Sequence, residues 1–102
     1  MIDRTEYSIM ALNFMINANL KEINNITTII QVHELHQNRL RGQLKAGCQN
    51  GYEKQKIERQ IHNNKIIIRG MAQYIVKLRS EMKQMQRKAS IILRKKNDTE
   101  KA

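Results

Sequence analysis

Proline and tryptophan are absent from this chain of 102 residues, glycine occurs four times and cysteine once. Without proline no interior position is barred from a helix, and so few glycines leave few places to turn. The aromatic residues are Tyr7, Phe14, Tyr52 and Tyr74. The bulky anchors of a compact globular core are therefore missing, and Ile, Leu and Met must do the packing. Cys48 stands alone, which excludes a disulfide within the chain and fits a reducing, cytoplasmic setting. No stretch approaches the roughly 18 uninterrupted apolar residues of a membrane-spanning helix. Nor is a signal peptide expected, since Asp3, Arg4 and Glu6 lead into a segment broken by Asn13, Asn17 and Asn19. A soluble single domain is the expectation.

Charge of one sign is also scarce. The net charge is +10, and it is unevenly placed. Residues 1–46 hold five basic and four acidic side chains, whereas residues 47–102 hold fourteen and five, a net of +1 against +9. The second half is thus expected to face something negative: an acidic protein surface, nucleic acid or anionic lipid.

Apolar residues recur at intervals of seven. In the first half they run through Ile2, Ile9, Ile16, Ile23, Ile30, Gln37 and Leu44. The companion positions are Thr5, Leu12, Asn19, Ile26, His33 and Leu40, which completes the a and d seam of a coiled coil. The second half repeats the device with Ile61, Ile68, Ile75, Met82 and Ala89 at a, and Ile57, Asn64, Met71, Leu78, Met85 and Ile92 at d.

Ala46-Gly47-Cys48-Gln49-Asn50-Gly51 is the one cluster of helix breakers, and the chain is expected to reverse there. Asp3 with Glu6 forms a capping box, flanked by Ile2 and Tyr7 at staple positions, and Asn50 with Glu53 repeats the box. Gly47 suits a left-handed residue just past a helix end. Gly42 and Gly70 fall inside helices, each at a cost of about 1 kcal/mol relative to alanine. The spacing predicts an all-α fold, a long antiparallel two-helix coiled-coil hairpin. Helix 1 spans about residues 3–46, the turn about 47–51, helix 2 about 52–96, and a frayed tail 97–102. Each helix of about 45 residues would extend roughly 65 Å.

A turn near residue 49 pairs positions whose numbers sum to about 99. Ile30 then meets Ile68, Ile23 meets Ile75, and Ile16 meets Met82. The same rule sets Asn64 opposite His33 and Gln37, one polar layer of the kind that fixes register in an apolar seam. Met10, Phe14, Met15, Ile66, Ile67, Tyr74 and Val76 fall outside the seam. Such excess apolar surface on a hairpin calls for a further helix, from a second copy or from a partner, and Met10 and Phe14 are its leading contacts.

Catalysis has little to stand on. There is no phosphate-cradling glycine loop and no Ser, His and Asp set that the fold brings together. His33, His36, His62 and Cys48 are the only metal constellation available. The pair His33 and His36 has i, i+3 spacing rather than the i, i+4 spacing of a zinc-protease helix. No catalytic residue, metal or cofactor is assigned. The cations are more informative: at 100° per residue Lys65, Arg69, Arg79, Lys83, Arg87 and Arg94 fall within about 40° of one line pointing away from the seam. Lys88, Lys95 and Lys96 extend this partner-facing stripe, and Glu81 is the only acid between residues 59 and 97.

Two strings on helix 2, Lys54-Gln55-Lys56-Ile57-Glu58-Arg59-Gln60-Ile61 and Lys88-Ala89-Ser90-Ile91-Ile92-Leu93-Arg94-Lys95, resemble the basic coiled-coil strings of the stalk proteins of type III secretion and flagellar export, the FliJ, YscO and InvI group. The likeness covers roughly residues 52–96. It implies an antiparallel coiled coil similar to the rotary stalk of F-type ATPases. The terminal end would insert into a hexameric export ATPase and the turn end would reach the cytosolic ring of the export gate, in the cytoplasm beside an inner-membrane apparatus of bacterial virulence. Two other readings fit the residues: a small helical secretion chaperone that sheaths a substrate's apolar helices, and a basic nucleic-acid-binding hairpin that dimerises and holds phosphates. The few aromatics argue against base stacking.

Overall fold

A computed structural model describes the backbone of residues 3–48 and 50–101, and the side chains of 3–48 and 50–99. Two helices account for nearly all of it, α1 (Arg4–Ala46) and α2 (Gly51–Lys101), and no strand occurs among the described residues. The expected all-α class and helical hairpin are what the chain adopts. Ile2 and Gln49, assigned above to the seam and the turn, lie outside the described residues. α2 runs on to Lys101, past the end expected near residue 96. Nothing in 97–101 breaks a helix, and the Thr99 hydroxyl donates to the Lys95 carbonyl oxygen (2.9 Å), one turn back. No helix of the described residues is long and apolar enough to cross a membrane.

The chain divides into two compact units. The first to consider, Asn25–Ile75, contains the turn. α1 stops because Gly47 takes φ = 93°, a left-handed conformation that a side chain resists, and its N–H donates to the Leu44 carbonyl oxygen (3.2 Å). α2 starts because Asn50 Oδ1 accepts from the Glu53 N–H at 2.8 Å. Leu40, Ile57 and Ile75 are buried, and Ile26, Ile30, Leu44, Ile61, Ile68 and Met71 are half-buried. All are seam positions, each burial contributing about 1.5–3 kcal/mol when complete.

Across this seam the polar layer closes on itself. Asn64 Nδ2 donates to the His33 carbonyl oxygen (2.8 Å) and to Gln37 Oε1 (3.1 Å). Asn64 Oδ1 is left to accept, and His33 Nδ1 lies 2.8 Å from it. The amide is oriented this way because the opposite orientation would set two acceptors against each other at the His33 carbonyl, and the ring contact is a hydrogen bond when Nδ1 carries a hydrogen. Among the described residues no buried polar side-chain atom lacks a partner. The numbers of the bonded pairs sum to 97 and 101, on either side of the expected 99.

The second unit joins Met1–Asn24 to Val76–Ala102. Ile23, Leu78 and Met85 are buried along its seam, and Ile9, Leu12, Ile16, Met82 and Ile92 are half-buried. Asn19 Nδ2 reaches the Leu78 carbonyl oxygen (3.5 Å) and Glu81 Oε2 (3.4 Å). At the start of α1, Asp3 Oδ1 accepts from the Glu6 N–H at 2.8 Å, so the Asp3 half of the expected capping box forms, while the Glu6 carboxylate lies beside Lys96. Lys96 Nζ lies 3.7 Å from Asp3 and 3.5 Å from Glu6.

Two outcomes follow from these contacts. Asn64→Ala strands the Gln37 carbonyl and the His33 ring nitrogen, and is expected to lower unfolding free energy by about 2 kcal/mol in a circular-dichroism melt; an unchanged midpoint would show that the layer is not formed. The Asp3 carboxyl is held below the ordinary Asp value chiefly by the Glu6 N–H, with lost hydration opposing it and Lys96 reinforcing it. A depressed folded-state value means that this contribution is complete above the unfolded Asp value and lost as pH falls through the folded one. Acidification below about pH 4 is therefore expected to lower the amide-exchange protection factors in the first turn of α1 in the wild type. Asp3→Asn, whose amide oxygen still caps but does not titrate, should lose this pH dependence, and a variant that keeps the wild-type pH profile would contradict this.

Candidate functional site

The charged and apolar side chains of the described residues are arranged along helix faces. In the unit that holds both helix ends, Arg79, Lys83 and Arg87 follow one another at steps of four, so they stack along one face of α2, and Arg94 follows two turns on. All four are exposed. Lys83, Arg87 and Arg94 line one open groove of ≈ 410 Å³ with Gln86, Ser90 and Ile91. Lys88 and Lys95 are exposed and seven residues apart, on a different side of the helix. Among the described residues none of these six cations lies in an ion pair.

Lys96 differs from its neighbours. It sits seven residues after Ala89 and so continues the seam, is half-buried, and forms ion pairs with both Asp3 and Glu6. These ion pairs link the start of α1 to the end of α2.

In the turn-bearing unit Lys65 and Arg69 are brought together with Arg41 of α1 around an open groove of ≈ 370 Å³, which Glu34, Gln37, Asn38 and Ile68 complete. Arg41 and Glu34 escaped the reading of the sequence, although the signal was there: both occupy the position next to the seam that faces α2, where the numbers of Glu34 and Lys65 sum to 99. Three cations against one carboxylate leave this groove positive, with a buried amide, Gln37, at its floor.

Met10 and Phe14 are exposed as expected, and Tyr7 precedes them at i−3 from Met10, so the three form a continuous apolar line on one face of α1. His33, Gln37 and Asn64 are brought together as the polar layer described above. Among the described residues no group of three or more His, Cys, Asp or Glu side chains is placed to hold a metal.

No family model matches the chain, and no curated protein or solved structure matches it either.

The arrangement can hold anions by charge and by guanidinium hydrogen bonds. Because these side chains are exposed and, among the described residues, form no ion pair, reversing Arg79, Lys83 and Arg87 to Glu together should leave helical ellipticity intact and shift stability by no more than about 0.5 kcal/mol per site. Collapse of the thermal transition in that variant would mean that the cations hold the fold.

Proposed function

We propose that this protein is a non-enzymatic coiled-coil stalk that docks an acidic protein surface through the cations of α2, and that the surface belongs to a type III secretion apparatus, with the chain coupling the export ATPase to the export gate. The observation that carries the docking is the run of exposed cations from Arg79 to Lys95 that, among the described residues, form no ion pair. Like charges at spacings of four repel within a helix. A chain that keeps them gains from a negative partner what it loses alone. The export apparatus rests on the resemblance of the two basic strings and on the helical hairpin.

A second reading, the helical secretion chaperone, draws on the exposed line Tyr7, Met10 and Phe14, which would sheath an apolar helix. The groove in the cationic face is lined by no aromatic side chain, so the stacking that ordinarily assists single-stranded nucleic-acid binding has no platform there.

The test is affinity capture from the native host at moderate salt, with the tag placed near the turn so that both helix ends stay free. Recovery of an ATPase with export-gate subunits, lost in the Arg79, Lys83 and Arg87 charge-reversed variant, is the expected result. Recovery of a small secreted helical protein alone would replace this reading by the chaperone, and recovery of nucleic acid alone would overturn both.

A further inference from the structure

Gly70 lies in the middle of α2, where it costs about 1 kcal/mol relative to alanine. Nothing inside the chain requires it. A Cβ built there meets no atom within 4 Å, and its φ is not in the left-handed region. Around it on the same face, at −4, −3, +3 and +4, stand Ile66, Ile67, Gln73 and Tyr74. The apolar three are 56%, 47% and 41% exposed. This is a notch walled by large side chains, the form that lets two helix backbones approach closely. Gly42 is equally unobstructed but is bordered one turn away by Asn38, Arg39, Lys45 and Ala46, with no comparable apolar wall.

The occupant is constrained by charge and by symmetry. In a chain of net charge +10, self-association is opposed everywhere except on a face free of cations. The stretch of the turn-bearing unit around Gly70 meets this condition. Within residues 25–36 and 60–74 the heptad positions c and g are Asn25, Ile29, Val32 and His36 on α1, and Gln60, Asn63, Ile67, Gly70 and Tyr74 on α2, without a Lys, Arg, Asp or Glu, and the charges at these positions, Arg39, Glu53 and Lys56, lie nearer the turn. The charges of the same stretches, Glu34, Lys65 and Arg69, line the groove on the other flank. The notch is also symmetric about its glycine. A two-fold axis through Gly70 sets Ile66 and Ile67 of each copy against Tyr74 of the other, the reciprocal contact that an isologous interface needs.

Size agrees with this. Ile29 and Val32 add exposed apolar surface on α1, for a total on the order of 500 Å² per copy, and a polar rim of Gln73, Asn63 and His36 brings it near the roughly 800 Å² per partner of a stable interface. We propose that a second copy of this chain covers this uncharged stretch, so that two hairpins pack as a four-helix layer with Gly70 at the two-fold axis and Arg41, Lys65 and Arg69 of both copies facing outward. The dimer is independent of the stalk reading: it needs no export component.

Sedimentation equilibrium of the purified full chain, from low to high micromolar, tests this. The wild type is expected to reach twice the monomer mass. Gly70→Arg should weaken the dimer at least tenfold while keeping full helical ellipticity, because the new side chain enters space that is empty in the monomer. Asn38→Arg adds the same charge on the opposite flank and should leave the dimer unchanged. Tyr74→Ala provides a second, smaller perturbation of the same wall and should weaken the dimer without adding charge. A wild type that stays monomeric throughout, or a dimer that Gly70→Arg and Tyr74→Ala leave intact, overturns the proposal.

Discussion

A helix paired with only one other helix can bury a single narrow line of side chains, and everything else in this molecule is arranged around that restriction. Six apolar side chains are buried, all of them at a or d, and among the described residues no side chain is fully enclosed. A seam this thin leaves each heptad contributing modestly, so the caps, the left-handed glycine and the polar layer carry a larger share of the specification than they would in a thick core. Asn64 illustrates the balance. It occupies a position that a leucine would fill with more burial, and it instead makes hydrogen bonds whose geometry is met in only one alignment of the helices.

The same restriction explains where the charge lies. With the seam taken by apolar residues, the cations of α2 fall on the remaining faces, and the acids needed to neutralise them are few. Glu34 shares a groove with Arg41, Lys65 and Arg69, and Asp3 and Glu6 are engaged by Lys96. What is left between Arg79 and Lys95 is a concentrated positive surface whose interactions will weaken with salt. The apolar residues outside the seam are likewise segregated, with Ile67, Gly70 and Tyr74 on the flank away from Lys65 and Arg69.

Much of this was legible in the residues themselves. The sevenfold recurrence from Thr5 to Leu44 and from Ile57 to Ile92 marks every described seam position that is buried or half-buried except Lys96, because a fixed period maps directly onto one helix face. Asp3, Gly47 and Asn50 marked the helix ends through local backbone chemistry that needs no tertiary context. Lys96 falls in sequence beside the exposed Arg94 and Lys95, although counting seven from Ala89 sets it in the seam. Arg41 and Glu34 went unread because a stripe sought on one helix alone omits what the other helix adds beside it. That Asn64 bonds the His33 carbonyl as well as side chains could not be read from sequence, since it depends on the local separation of the two backbones.

The pairing register underlies all of these assignments, and cysteine cross-linking in a Cys48→Ser background measures it directly. Ile30→Cys with Ile68→Cys should form a disulfide rapidly under mild oxidation, since the positions face each other across the seam of the turn-bearing unit. The pairs Ile30→Cys with Ile61→Cys and Ile30→Cys with Ile75→Cys, each one heptad out of step, should form far more slowly. Equal rates for the three pairs, or a faster one for an offset pair, would contradict the register on which the polar layer, the grooves and the uncharged stretch all depend.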